Sequence, residues 1–271
     1  MKHPLDEYLR IEAFPTIWCP GCGNGIVLGA IARALKRAKV DPDKVVLVTG
    51  IGCAGRMATY LYTDNAHVLH GRAIPFATGV KLAKPDLEVI VVGGDGDILA
   101  IGGNHLIHAA RRNMDLLVIM VNNQIYGMTG GQVAPTSPLG AYTTTTPYGN
   151  IIERPFNAVK LVAAAGANYV ARWTVAHPIQ LTLSIKECLK KRGFRFIEVV
   201  SICPTIYGRL NKLGGAPNMI KLLRKISVVK KVPPEEAEIS ADKIVCGVFV
   251  NKDEEGYMDR LIKYRERALR T

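Results

Sequence analysis

Glu88-Val89-Ile90-Val91-Val92-Gly93 runs into Gly94-Asp95-Gly96-Asp97, and Leu116-Leu117-Val118-Ile119-Met120 runs into Val121-Asn122-Asn123-Gln124-Ile125-Tyr126-Gly127. Short apolar runs that stop at polar turns read as parallel strands, and both turns then fall on one edge of an open α/β sheet, where such folds hold ligands. Asp95 and Asn123 offer a carboxylate and an amide oxygen there. These are donors that Mg²⁺ accepts while sharing its other positions with phosphates and water. Glycines on both sides of Asp95 let backbone N–H groups approach a phosphate closely. The stretch between the two turns leaves room for one crossover helix.

Working outward, residues 24 to 39 place Ile26, Val27, Ala30, Ile31, Ala34 and Leu35 on one apolar helical face. Val45 to Thr49 reads as a strand ending in a further glycine-rich turn, Gly50 to Arg56. Residues 75 to 84 and 98 to 112 read as helices, each followed by a strand, at Val89 to Val92 and Leu116 to Val121. That alternation argues for parallel βαβ units. Met128 to Asn150, with its glycines, prolines and threonines, reads as a long functional loop. Pro155 to Ala165 and Pro178 to Lys191 read as helices, and Tyr169 to Arg172 and Phe196 to Val200 as strands. Residues 1–210 form the expected main domain and 211–271 a C-terminal extension. The extension has a basic piece from Lys221 to Lys231, a strand-like Ile244 to Val250 and a charged final helix, and is expected to wrap the main domain or a partner.

The 271 residues suffice for a full core, and 35 Lys and Arg against 23 Asp and Glu leave a net charge of +12 that favours acidic partners. No basic-aromatic pattern of the kind that stacks bases is present, which argues against nucleic acid. No apolar stretch approaches the ~20 residues of a membrane helix, and the start lacks the apolar segment of a secretion signal, so a cytoplasmic protein is expected. Six cysteines in that compartment stay reduced, which directs attention to metal or redox roles. Cys19-Pro20-Gly21-Cys22 places Cys22 at the start of the first helix, a position that favours thiolate. Cys53 lies in the turn after the first strand and Cys203 just after the strand ending near Val200. If the strands are parallel, four sulfurs converge around one iron–sulfur cluster or one Zn²⁺. Cys188 and Cys246 lie in apolar or amphipathic runs and read as packed core.

Several segments match a known family in the right order: Trp18-Cys19-Pro20-Gly21-Cys22-Gly23-Asn24, Ile51-Gly52-Cys53-Ala54-Gly55-Arg56, His70-Gly71-Arg72-Ala73, Gly94 to Asp97, Gly102-Gly103-Asn104-His105 and Tyr126-Gly127-Met128-Thr129-Gly130-Gly131-Gln132. Over most of residues 8 to 210 they closely resemble the β subunit of the 2-oxoacid:ferredoxin oxidoreductases. The resemblance implies a thiamine diphosphate-binding fold, a mainly parallel sheet with helices on both faces. It implies a four-iron four-sulfur cluster (4Fe-4S) on Cys19, Cys22, Cys53 and Cys203, and Mg²⁺ on Asp95, Asn123 and the carbonyl of Ile125. Thiamine diphosphate would be surrounded by Ile51, Gly52, Cys53, Ala54, His70, Gly96, Asp97, Gly127 and Met128, with His70 donating to a phosphate oxygen or a reacting carboxylate.

The implied reaction is oxidative decarboxylation of a 2-oxoacid, with coenzyme A taking the acyl group and electrons leaving singly through the cluster to ferredoxin. The Gly127-to-Gln132 form looks more like the 2-oxoglutarate members, and Arg56 or Arg72 is a candidate cation for a second carboxylate. No Glu stands in the helix context from which thiamine enzymes activate the cofactor's aminopyrimidine ring, so the resemblance implies that a separate α subunit supplies it, with further small subunits allowed. His105 and His108 share a helical face without a nearby carboxylate and read as packing. Two rivals are a non-oxidative thiamine decarboxylase or synthase subunit, and a zinc-stabilised phosphate-binding module without catalysis.

Overall fold

The structure, a computed structural model, describes residues 3–270. In chain order the regular elements are α1 (Asn24–Ala38), β1 (Val45–Thr49), β2 (Asp64–His67), α2 (Ala73–Ala83), β3 (Glu88–Gly94), α3 (Gly103–Arg112), β4 (Leu117–Asn122), β5 (Ile125–Tyr126), β6 (Gln132–Val133), α4 (Ala158–Ala164), β7 (Tyr169–Thr174), α5 (Pro178–Cys188), β8 (Arg195–Val200), α6 (Ala216–Ile226), β9 (Ser227–Val229), β10 (Ile244–Asn251) and α7 (Tyr257–Ala268). Eight strands form one sheet in the order β2-β1-β3-β4-β8-β7-β10-β9. Neighbours from β2 to β7 are all parallel. β10 joins antiparallel to β7, and β9 runs parallel to β10.

Every residue of β1 and β4 is buried, as near-continuous apolar runs require when helices cover both faces of a sheet. Alternate side chains feed two cores. Leu47, Ile90, Val92, Leu117 and Ile119 pack with α1 and α5 on one face, through residues such as Ile31, Leu35, Leu181 and Ile185. Val48, Val89, Val91, Val118 and Met120 pack with α2, α3 and α4 on the other, through Ile74, Leu106, Val159 and Val162. Among the described residues no helix is long and apolar enough to cross a membrane.

Three local departures from the sequence reading have physical causes. β2 is a polar edge strand, Asp64-Asn65-Ala66-His67, held by its parallel ladder to β1 rather than by apolar burial, so no hydrophobic pattern announces it. The helix expected over 98–112 is divided into a π-helical turn, Gly96–Ile101, and α3. Gly102 lies at the junction, where a Cβ would sit 2.5 Å from the carbonyl oxygen of Asp97. α4 begins only at Ala158, because Asn157 is extended and caps it, its Oδ1 accepting the Lys160 N–H at 3.2 Å.

The extension is stitched into the sheet by β10 and by a buried polar chain. Arg172 on β7 pairs through Nε with Glu198 Oε2 on β8 at 2.7 Å and donates to the carbonyls of Ala237 and Glu238. Glu198 Oε1 in turn accepts from Asn122 Nδ2 at 2.7 Å at the end of β4. Removing one partner would strand a charge in the sheet interior.

Candidate active site

From β1 the chain steps outward to β2, then crosses back to β3 on the other side, so the order reverses between β1 and β3. The turns at the carboxyl ends of those two strands therefore flank the switch-point crevice of the sheet. Asp97 fills the floor of that crevice: a Cβ on Gly50 would lie 2.2 Å from its Oδ2, and one on Gly93 2.5 Å from the same atom. The carboxylate is 2% exposed. Its Oδ1 accepts the Gly71 N–H at 2.7 Å and lies 2.9 Å from His70 Nδ1, while Oδ2 is a buried oxygen without a hydrogen-bond partner. Burial raises its pKa, partly opposed by the Gly71 N–H, by His70 and by the Ile51 N–H. Asp97 thus ties together three turns, those at Ile51, at His70 and its own.

Asp95 is also buried, and Thr136 donates to its Oδ2. Burial pushes its carboxyl up to about 6, against the pull of Thr136 and of the Gly96 and Gln124 N–H groups. The Gln124 contact brings the 94–97 turn against the 122–125 turn. There Gln124 adopts a left-handed φ of 63°, its N–H donating to Asn122 Oδ1 at 3.2 Å, and Asn123 Oδ1 accepts the Ile125 N–H at 3.3 Å. Gly96 packs flat beneath Tyr126, whose ring a Cβ would meet at 2.1 Å. The donor chemistry fits a divalent cation, which would relieve the desolvated Asp95 carboxylate and accept the Asn123 amide oxygen from the adjoining turn. The glycine floor and the orphaned Asp97 oxygen fit a phosphate-bearing ligand with donors to share.

Ile51, Gly52, Cys53, Gly127 and Met128 are at least partly open to solvent around this crevice, and Met128 is 47% exposed, whereas Ala54 and Gly96 are buried. His70 is partly open, 6.2 Å from the Tyr126 ring centroid. Arg56 and Arg72 are both exposed, the latter donating to the Gly71 carbonyl. His105 and His108 belong to no metal site among the described residues.

All six cysteines are free thiols, with Cys188 and Cys246 fully buried. The other four interact electrostatically. Burial pushes Cys22 up to about 11; the Asn24 N–H opposes this, and Cys53, Cys203 and Cys19 add to it. Burial likewise raises Cys53, with Cys203 and Cys19 contributing. The helix start does stabilise the Cys22 thiolate as expected, but burial and three like neighbours outweigh it. Among the described residues no group of three or more His, Cys, Asp or Glu side chains is placed to hold a metal ion. The sulfurs of Cys22 and Cys53, whose ionisation burial and the neighbouring thiols oppose, nevertheless fit a cationic metal centre, since a bound cation removes that penalty. Trp18 Nε1 donates to the Cys53 carbonyl at 2.7 Å, fixing the entry to this group.

Thr136, Asn122 and Glu198 escaped the sequence reading. Thr136 lies in an irregular loop with no periodic signal, and Glu198 sits in an otherwise apolar strand, where a lone charge says only that it needs a partner.

The switch-point crevice, the acid-amide pair and the glycine floor together define a thiamine diphosphate-binding α/β domain, and residues 50–199 match the family described as thiamine pyrophosphate enzyme, C-terminal TPP binding domain. The "2-oxoglutarate synthase subunit KorB" of Methanocaldococcus jannaschii is 50% identical over 266 residues, 98% of each chain. The "2-oxoacid:ferredoxin oxidoreductase subunit beta" of Saccharolobus solfataricus is 47% identical over 190 residues, 69% of this chain and 62% of that one. A solved 2-oxoglutarate:ferredoxin oxidoreductase from Magnetococcus marinus, with 2-oxoglutarate, coenzyme A and succinyl-CoA bound, superposes with a TM-score of 0.87 at 33% identity, covering 98% of this chain and 91% of that one. The chain belongs to the β subunits of the 2-oxoacid:ferredoxin oxidoreductases.

Proposed function

We propose that this chain, assembled with an α subunit, oxidatively decarboxylates 2-oxoglutarate to succinyl-CoA and CO₂ in the cytoplasm and passes the electrons to ferredoxin. The observation that carries this reading is the contact between its two halves: a Cβ on Gly127, in the turn that follows Ile125, would lie 3.4 Å from Cys203 Sγ. The cation turn and the cysteine group are thus neighbours, as one-electron removal from a cofactor requires.

Asp95, Asn123 and the Ile125 carbonyl would hold Mg²⁺. Ile51, Gly52, Cys53, Ala54, Gly96, Gly127 and Met128 would line the thiamine diphosphate, and Cys19, Cys22, Cys53 and Cys203 would hold a 4Fe-4S cluster. Bound there, thiamine supplies an electron sink for decarboxylation and the cluster a one-electron outlet. With Nδ1 beside Asp97, His70 keeps Nε2 for a phosphate oxygen or the substrate carboxylate, and Asp97 holds the ring's orientation. Ile51 and Met128 at the rim exclude water when the second subunit closes over them.

Mixed with its α subunit under anaerobic conditions, the brown protein should reduce a viologen dye in the presence of 2-oxoglutarate and coenzyme A. The separated chain should retain little thiamine diphosphate and turn over nothing, because the activating carboxylate comes from the partner. Full turnover by the isolated polypeptide would refute the divided site. A colourless, zinc-loaded protein would favour the non-catalytic module, and CO₂ release without dye reduction the non-oxidative enzyme.

Arg56 and Arg72 are the exposed cations next to the β1 turn and to His70, placed to meet the second carboxylate of a dicarboxylic oxoacid. Substitution of whichever one binds it by Ala should raise KM for 2-oxoglutarate by about ten- to a hundredfold, as expected for a lost charge-assisted contact, and leave KM for pyruvate nearly unchanged. Equal effects on both substrates would dismiss both arginines as specificity residues.

A further inference from the structure

From Val199 to Pro234 the chain contains no Asp or Glu. This acid-free stretch carries Cys203 and folds back onto the Cys19–Cys22 turn, where a Cβ on Gly21 would meet Cβ of Ala216, the first residue of α6, at 2.4 Å. α6 buries Met219 and Leu223 in the core and turns Lys221, Arg224 and Lys225 to solvent. Arg209 and Lys212, on the segment joining Cys203 to α6, are exposed as well. None of these five cations is in an ion pair among the described residues, although other surface lysines, such as Lys243 and Lys263, have carboxylate partners. Cys19, the exposed one of the four clustered thiols, lies two residues before Gly21, which approaches Ala216 of α6. By helical rise Arg224 lies about 12 Å from Ala216 and the cysteine turn.

We infer that the outer face of α6, with Arg209 and Lys212, is the docking surface for an acidic one-electron carrier protein of the ferredoxin type. The inference rests on the proposed electron route through the four cysteines. An unpaired field of one sign beside a solvent-facing sulfur concentrates an anionic partner where electrons leave and orients it without needing a deep pocket. Each encounter moves one electron, oxidising the donor centre and reducing the carrier's by the same amount, so two dockings clear the two electrons left by one oxoacid. A carrier held by rim charges rather than apolar burial also dissociates readily, as repeated single-electron visits demand.

The test uses the reconstituted αβ holoenzyme and a purified acidic 4Fe-4S ferredoxin, in two forms: the triple variant Lys221→Glu, Arg224→Glu, Lys225→Glu, and separately Arg209→Glu, Lys212→Glu. Calorimetry reads binding directly, without turnover, between about 20 mM and about 300 mM salt, a range that shortens the screening length severalfold. Wild-type binding should weaken steeply with salt. Either variant should bind at least about tenfold more weakly at low salt, with a flattened salt dependence and a raised KM for ferredoxin. Dye reduction, KM for 2-oxoglutarate and the αβ mass should not change. Unaltered ferredoxin binding in both variants overturns the proposal; so does a parallel loss of dye reduction or dissociation of the complex, which would make this face a subunit interface. Absence of 2-oxoacid-dependent dye reduction by the wild type would instead count against the proposed function, leaving the binding measurement to decide the docking surface.

Discussion

Asp95→Asn is expected to abolish Mg²⁺-dependent retention of thiamine diphosphate, with cofactor affinity falling by more than about a hundredfold, while making the metal-free chain more stable. The two effects have one origin. With its folded pKa at about 6 against an ordinary 3.8, Asp95 holds its proton more tightly in the fold than in the unfolded chain. Its contribution to stability is therefore fully present below pH 3.8 and is lost as pH rises through about 6. About two pKa units correspond to roughly 3 kcal/mol, carried by the metal-free protein at neutral pH. Asn has no proton to lose and removes this cost.

A divalent cation offsets the same cost in the wild type, so its affinity should rise about tenfold per pH unit up to near pH 6 and then level. Thermal unfolding of both proteins from pH 4 to pH 8, as separate chains without metal and as αβ holoenzymes with and without MgCl₂ and thiamine diphosphate, checks each part. A wild-type melting temperature that does not fall across this window without metal, or an Asn variant that still gains stability from Mg²⁺ and cofactor, would contradict the assignment of Asp95.

Much of this site was legible because it is built from strand ends. An apolar run followed by Gly-Asp-Gly or Asn-Asn fixes both the strand and the side on which its polar residues emerge, and the observed β3 and β4 pair in parallel as that reading requires. The convergence of Cys53 and Cys203 on the edge that carries Cys19 and Cys22 follows from the same rule. What stayed hidden depends on contacts between segments distant in sequence. Asp97 read as a residue beside the cofactor, yet it also braces three turns, because the absence of side chains at Gly50 and Gly93 leaves room for its carboxylate between β1 and β3. Thr136 reaches Asp95 from a loop without periodicity. The place of β10 beside β7 depends on the Arg172 network, since an isolated apolar strand carries no signal for its neighbour or its direction. Pattern reveals which residues leave the sheet at its edge; only packing decides which of them touch.

Cys203→Ala is expected to remove the iron, the brown colour and acceptor reduction together, while leaving the polypeptide folded. Cys203 is only partly buried and closes the turn into the π-helical segment Pro204–Gly208 through its backbone, its carbonyl accepting the Gly208 N–H at 2.9 Å, so loss of the sulfur should cost the metal-free chain no more than about 1 kcal/mol. For the holoprotein the loss is much larger. Three sulfurs cannot complete a four-cysteine cluster, and of the remaining Cys19, Cys22 and Cys53 the latter two are held back from thiolate formation by burial. Cys188→Ala provides the contrast: fully buried as the last residue of α5, its loss leaves a cavity and should cost about 1–3 kcal/mol while iron content remains that of the wild type. Anaerobic iron and sulfide analysis beside a thermal melt separates the two behaviours. If Cys203→Ala keeps about four irons per chain, or Cys188→Ala loses them, the ligand set is wrong, and the contact between Gly127 and Cys203 would have to be read as packing instead of the electron exit.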